Sequence, residues 1–556
     1  MSQYESKLEK YGHKGIKIGS GVYSKVYIYK NKNKKYAVKV MGIGDPDEGI
    51  DSSTINDIGS LKYLDHPNIV KVIDTIITKN KVYMVMDLAI SDITSLYNSQ
   101  EYNKRDIPKL FYPLVNAMGY YFNMNILHLD IKPQNILYFP DGLKFTDFGL
   151  SKIGYCNVYP ESMYTNVVTL WYRSINLFLG DEHYDTMVDI WAFGCVLYEM
   201  YTGKVLFQGN SALDMVLKIC RRLGTPNEKT YPGVTSLPEW SNNFPQYVHS
   251  GFGDIKSNPR LLDLLNTIFN YSNFSKHNNS DHITQILYHP YFDSARNKNV
   301  NFKSLSCMES LYNYDNYIKN GMRDNNINIL MSWIIEVAII LKLSVKLLFL
   351  SYYIMDNFLS QINVELKNLQ LLAITSVHLA SLMCDIFPPQ VDDYLIMVDK
   401  RYTRKEFLEF KNKIIELLDW KIYHPTSFSF LDIMSTVSMQ HYKVRKCILL
   451  QLYRTEFIFE HKPSVIAQIV NELAYIYIGE FDFVTLDSTF FQIPHITKKD
   501  PLIAKITKID FFDIDILYDQ LLKFNSTKNI HKVSYSIPYI LKNNDTSACT
   551  IPKTLI

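Results

Sequence analysis

Cysteine is scarce and scattered: the seven in 556 residues, at 156, 195, 220, 307, 384, 447 and 549, form no close pairs and are odd in number. That spacing speaks against a disulfide framework and against a cysteine-rich zinc site, and it points to a reducing, intracellular setting, cytoplasmic or nuclear. An excess of charge is missing too. A formal balance of +2 gives no reason to expect a partner in nucleic acid or on a membrane surface. The start, Met1-Ser2-Gln3-Tyr4-Glu5-Ser6-Lys7, lacks the apolar core of a secretion signal. The most membrane-like run, Ile329 to Met355, carries Glu336, Lys342 and Lys346 near its middle, where each charge is costly in hydrocarbon, so two helices in water are expected there. What the chain has in quantity is apolar mass. Its 47% hydrophobic content is ample for packed cores, and its length predicts two to four folding units.

The chemistry is concentrated in His128-Leu129-Asp130-Ile131-Lys132-Pro133-Gln134-Asn135, followed after a short apolar run by Thr146-Asp147-Phe148-Gly149. An Asp able to orient a hydroxyl, a Lys two residues on, an Asn closing the same loop and a second Asp before Phe-Gly are what phosphoryl transfer from ATP needs in one small volume. Either motif alone is weak; both in order, behind a glycine-rich turn and a Val-Lys strand, are specific. Ile18-Gly19-Ser20-Gly21-Val22-Tyr23-Ser24-Lys25-Val26 reads as two strands joined by a turn whose small residues let backbone N–H groups approach phosphates. Tyr36-Ala37-Val38-Lys39 follows at the right distance.

These motifs resemble those of eukaryotic-type protein kinases, and Glu48 to Ile58 with Leu64-Asp65-His66-Pro67-Asn68-Ile69-Val70 narrows the likeness to the cyclin-dependent kinases. Trp171-Tyr172-Arg173, Asp189-Ile190-Trp191-Ala192-Phe193-Gly194, Leu223-Gly224-Thr225-Pro226 and Tyr231-Pro232-Gly233-Val234 match the same family. The resemblance covers roughly residues 8–292 and implies an α+β bilobal kinase fold using ATP and Mg²⁺ on protein substrates. By it, Asp130 and Lys132 are the catalytic pair, Asn135 and Asp147 hold Mg²⁺, and residues 18–26 with Lys39 bind the phosphates. Met86 is the gatekeeper, and the backbone of Asp87 and Ala89 holds adenine. Lys132 marks the Ser/Thr class, and Val167-Val168-Thr169-Leu170-Trp171-Tyr172-Arg173 resembles a proline-directed substrate platform.

Departures from the family pattern bear on regulation. The helix glutamate that pairs with Lys39 is Asp57, one methylene shorter, so the helix sits closer or the ion pair is loose. Asp51, Ser52 and Ser53 are all suited to cap that helix. The catalytic-loop arginine that receives an activation-loop phosphate is Leu129, so Thr165, the candidate phosphosite beside Ser162 and Tyr164, loses a main partner. Tyr23 is the one residue of the family's Thr-Tyr inhibitory pair that remains, beside Val22. The glutamate of the Ala-Pro-Glu motif is Asn176, and its arginine partner is absent as well. Losing both leaves no buried charge unpaired.

Residues 293–315 form a polar linker. Beyond it, Ile329, Leu330, Trp333, Ile334 and Val337 fall on one wide helical face, which by itself predicts only an all-α bundle. The order of Ile329–Val337, Met355–Ser360, Leu369–Thr375, Pro388-Pro389, Tyr402-Thr403-Arg404-Lys405 and Leu417-Leu418-Asp419-Trp420 resembles a cyclin box. The expected division is a cyclin box over 316–425, a second helical repeat over 426–525 and a polar tail over 526–556. The resemblance implies an all-α cyclin fold of one or two five-helix repeats. The lysine and glutamate with which cyclins grip their kinase align with Leu382 and Lys411 and so count as lost. Asn326-Ile327-Asn328-Ile329-Leu330 replaces the usual substrate-docking patch. A flexible linker of about twenty residues spans roughly 25 Å and gives an effective concentration near the mM range, which offsets a weakened interface.

Two readings follow. In the first, the chain is a Ser/Thr-Pro-directed kinase activated by an intramolecular contact with its own cyclin. In the second, it is a catalytically weak pseudokinase-cyclin scaffold that binds and redirects a partner kinase. Lys39, Asp130, Asn135 and Asp147 favour the first; Asp57, Leu129 and Asn176 lean toward the second. Exchange of halves between two copies, and an unrelated helical regulatory domain in the second half, are further alternatives.

Overall fold

The structure, a computed structural model, describes residues 7–21, 24–32, 34–99, 102–153, 169–183, 185–274, 282–296, 325–385, 388–434, 439–452 and 462–478. Five strands, β1 (His13–Ser20), β2 (Ser24–Asn31), β3 (Lys34–Gly42), β4 (Val72–Ile77) and β5 (Lys81–Asp87), form an antiparallel sheet in the order β1-β2-β3-β5-β4. Side chains alternate along β3. Val38, with Tyr36 and Val40 beside it, joins Tyr11, Tyr29 and Val85 in a small outer cluster, whereas Met41 joins Met84 and Met86 in the main core. Lys39 shares the Met41 face, paired across to Val26 on β2 and Met84 on β5.

Helix α1 (Ser52–Tyr63) begins where the Asp51 carboxylate accepts the Thr54 N–H at 2.6 Å and ends at the extended Leu64. Every residue from Thr54 to Leu61 is buried, including the polar Thr54, Asn56, Asp57 and Ser60. A helix with one wet face would carry its polar residues on that face. This one is covered on two sides, by its own lobe and by the second half of the chain.

The second lobe is built on α2 (Ile107–Asn123), α3 (Met187–Thr202), α4 (Ala212–Leu223) and α5 (Pro259–Ile268). Its one hairpin that matters for the site joins β6 (Ile136–Phe139) to β7 (Gly142–Phe145), with Ile136 opposite Phe145. The hairpin therefore returns the chain so that Asn135, just before β6, lies close to Asp147, just after β7.

The described residues of the second half form helices only: α6 (Asn325–Ile340), α7 (Val345–Gln361), α8 (Leu366–Cys384), α9 (Val391–Met397), α10 (Arg404–Leu417), α11 (Ser427–Ile433), α12 (Met439–Leu452) and α13 (Pro463–Ile478). The apolar run around Glu336, Lys342 and Lys346 is the pair α6 and α7, turned at Lys342. Among the described residues no helix is long and apolar enough to cross a membrane. Helix α8 is buried from Leu369 to Ser381 and packs on α6, α7, α9 and α10. The ring of Phe349 on α7 stacks on Phe428 of α11 at 5.2 Å, joining the first five helices to α11–α13.

The two halves meet along α1 and the turn before it. Helix α8 packs on α1, the Tyr63 ring sits edge-on to Tyr423 at 5.2 Å, and Lys62 pairs with Asp419. Arg404, in the first turn of α10, bridges Asp47 at 2.8 Å and Asp392 at 2.5 Å. At Gly59 a Cβ would stand 3.1 Å from the Trp420 carbonyl oxygen, so the absence of a side chain lets the helical half approach the α1 backbone. Lys411 corrects the sequence reading. Rather than a lost contact, it is a grip of another kind, its Nζ donating to the carbonyls of Glu48 at 3.1 Å and Ile50 at 2.8 Å.

Candidate active site

Lys39 lies 2.7 Å from Asp57 Oδ2 and 3.0 Å from Asp147 Oδ1. Burial alone would push its ammonium down, but the two carboxylates outweigh that and hold it above its ordinary value. Burial acts on Asp147 in the opposite sense, and Lys39 again wins, holding this carboxyl below the usual range. The second oxygen of Asp57 accepts the Phe148 N–H at 2.8 Å. Of the two outcomes expected for the shorter side chain, the structure has the closed helix with a tight pair.

The loop at 128–135 hangs from Asp189 in the first turn of α3. One oxygen of that buried carboxylate accepts the His128 N–H at 2.7 Å and the other the Leu129 N–H at 2.9 Å. This holds Leu129 at φ 61°, a left-handed conformation that costs a leucine roughly 1–2 kcal/mol. The Leu129 side chain is 0% exposed and packs in the main core, leaving no charge where the resemblance expects an arginine. His128 reaches the Thr146 carbonyl at 3.1 Å, and its ring lies 4.4 Å from that of Phe148.

Asp130, buried, follows directly. Its Oδ2 accepts from Lys132 Nζ at 2.7 Å and Asn135 Nδ2 at 2.9 Å, and its Oδ1 accepts from Thr169 Oγ at 2.8 Å. Lys132 also donates to the Thr169 hydroxyl at 3.2 Å. Asn135 Nδ2 spends its other proton on the Asp130 carbonyl at 2.9 Å, so its Oδ1 is the atom left for a cation. Asp147, at φ 63°, keeps its Oδ2 beyond the Lys39 contact. Two oxygens from such a pair suit Mg²⁺, which takes one or two protein ligands and completes its shell with phosphate and water.

The glycine-rich turn is closed by the Gly21 N–H on the Ser24 carbonyl at 2.8 Å. Ile18, Gly19 and Ser20 end β1 and Ser24, Lys25 and Val26 open β2, while Val22 and Tyr23 lie outside the described residues. Met86, buried on β5, faces Ala37, and Asp87 pairs with Lys34 at 3.2 Å with Ala89 two residues on. Asn176 is neutral and satisfied, accepting from Ser174 Oγ at 2.6 Å and donating to Asp181 at 3.2 Å. Ser162, Tyr164, Thr165, Val167 and Val168 lie outside the described residues.

Sequence reasoning gave Thr169 no role beyond membership of the substrate platform, yet its hydroxyl ties Asp130 to Lys132. The one signal was a hydroxyl residue two positions before Trp171. Lys411 was misread because its partners are backbone carbonyls in the other half, which no motif records.

A five-stranded lobe over a helical lobe, with a lysine and two carboxylates joined across the cleft between them, defines the protein kinase fold. Residues 13–292 match the protein kinase domain and residues 298–423 the N-terminal domain of cyclins. The chain belongs to the protein kinase family and carries a cyclin domain in the same polypeptide.

Proposed function

We propose that this chain is an ATP-dependent Ser/Thr kinase of the cyclin-dependent type, directed to Ser/Thr-Pro sites and activated by its own cyclin domain. The observation that carries the reading is Lys39 bridging Asp57 and Asp147 while the cyclin domain packs on the helix that bears Asp57. Mg-ATP, when bound, supplies the phosphoryl group and neutralises the charge that moves with it. Lys39 and the glycine-rich turn of residues 18–26 would hold phosphate oxygens, and Asn135 Oδ1 and Asp147 would hold the metal. Asp130 orients the substrate hydroxyl and accepts its proton. Its Oδ1 takes one hydrogen bond from Thr169 and keeps a lone pair for that purpose. Lys132, fixed between Asp130 and Thr169, stabilises charge on the group in transit. The test is transfer of labelled phosphate from Mg-ATP to a Ser-Pro peptide by the purified chain.

Two results follow from the details of the site. A Ser-Pro peptide is expected to be phosphorylated at least about tenfold faster than its Ser-Ala counterpart, a difference of about 1.4 kcal/mol in transition-state binding. Equal kcat/KM for the two peptides would remove the proline-directed reading. With Leu129 buried among apolar neighbours, a phosphate on Thr165 has no charged receptor at that position. Thr165→Ala is therefore expected to keep activity within about threefold of the parent, and near-complete loss would show that a receptor exists elsewhere.

A further inference from the structure

A polar face of α1 runs along the chain that follows Asp147. Ser53, Asp57 and Ser60 stand at i, i+4 and i+7 and so share one side of the helix. At Gly149 a Cβ would lie 2.7 Å from Ser53 Oγ, so the two backbones approach closely there. Asp57 Oδ1 accepts the Phe148 N–H at 2.8 Å. Ser60 Oγ and Ser151 Oγ share a hydrogen bond of 3.0 Å, and both residues are buried, at 0% and 1% exposure.

The two sides of this contact have matching spacing. On the segment side the Ser151 N–H donates to the Phe148 carbonyl at 2.9 Å, closing a turn whose first and last residues are the two that α1 holds. On the helix side Asp57 and Ser60 are also three residues apart. The hydrogen bonds therefore close a ring, from Asp57 to Phe148, across the turn to Ser151 and through the hydroxyl pair back to Ser60. A single bond to Phe148 would let the segment pivot about it, and a second bond three residues away removes that freedom. Asp147 precedes Phe148, and Lys39 lies between Asp57 and Asp147. Fixing the segment against α1 thus fixes the separation of the two carboxylates that place the ammonium.

We propose that Ser60 and Ser151 are positioning residues for the kinase site: their buried hydroxyl pair is the second point of a clamp that holds Asp147 in register with Asp57, and so holds Lys39 where the nucleotide phosphates arrive. This rests on the reading that Lys39 serves ATP.

The test compares the full chain with Ser60→Ala, Ser151→Ala and the double variant. Each single change leaves one buried hydroxyl without its partner, whereas the double change removes both. Melting temperature is therefore expected to fall in the singles and to recover in part in the double variant. The clamp is lost in all three. KM for ATP is expected to rise by about fivefold in each, the factor that corresponds to one net hydrogen bond, with kcat within about twofold of the parent. Hydrogen exchange of peptides spanning 145–153 is expected to quicken to the same extent in singles and double. A KM and an exchange rate that recover in the double variant along with the melting temperature would make the pair a packing feature and overturn the proposal. Singles with the parent's KM and exchange would overturn it as well. If the parent binds Mg-ATP but transfers no phosphate, the kinase reading falls, and the same comparison of exchange with nucleotide dissociation constants in place of KM decides whether the clamp stands.

Discussion

Asp130→Asn is expected to lower phosphoryl transfer by about two to four orders of magnitude while leaving nucleotide affinity within a few-fold of the parent. The substitution is nearly isosteric, so the loop suspended from Asp189 and the tie to Thr169 can persist. What changes is chemistry. Asp130 is surrounded by donors, Lys132 and Asn135 on one oxygen and Thr169 on the other. An amide must turn its NH₂ toward one of those donors and has no basic oxygen to receive the substrate proton. Initial rates with a Ser-Pro peptide, measured beside equilibrium binding of Mg-ATP, separate the two effects. A variant as fast as the parent would take the role of base from Asp130. A parent with no activity, folded and binding nucleotide, would move the chain to the scaffold reading.

Much of this arrangement was legible because it is carried by order along the chain. The loop at 128–135, the hairpin and Thr146-Asp147 are local, and once Ile136 pairs with Phe145 the two ends of the hairpin must converge. Lys39 was legible for a similar reason, since strand alternation fixes the face it occupies. What stayed hidden depends on contacts between distant parts. The closed position of Asp57 is set partly by Gly59, whose missing side chain admits the Trp420 carbonyl, and a glycine within a helix carries no mark of the partner it admits. Leu129 was legible as a missing charge but not as a core residue held at positive φ by Asp189. Lys411 was misread because alignment supplied an expected residue type and no geometry: a cation in a glutamate's place looked like loss, whereas carbonyl oxygens can be gripped only by a donor.

Asp57 is where the two halves of the chain act on one atom pair, and its variants separate charge from length. Asp57→Asn keeps the volume and removes the charge. Lys39 then has Asp147 as its one remaining carboxylate and is drawn toward it, away from the position that serves ATP. A misplacement of about 1 Å at such a group costs about 10²-fold in rate, so kcat/KM for ATP is expected to fall by about that factor. Asp57→Glu restores the residue common in the family and is nevertheless expected to be harmful. The helix is already seated for the shorter side chain, with the Trp420 carbonyl against Gly59 on one side and Lys39 at 2.7 Å on the other. An added methylene must either force α1 back onto the cyclin domain or leave its rotamer, at about 1–3 kcal/mol. The expected result is a lower melting temperature together with a higher KM for ATP. An Asp57→Glu chain more active than the parent would mean that the short carboxylate is a defect tolerated by tethering, and not the length to which this interface is fitted.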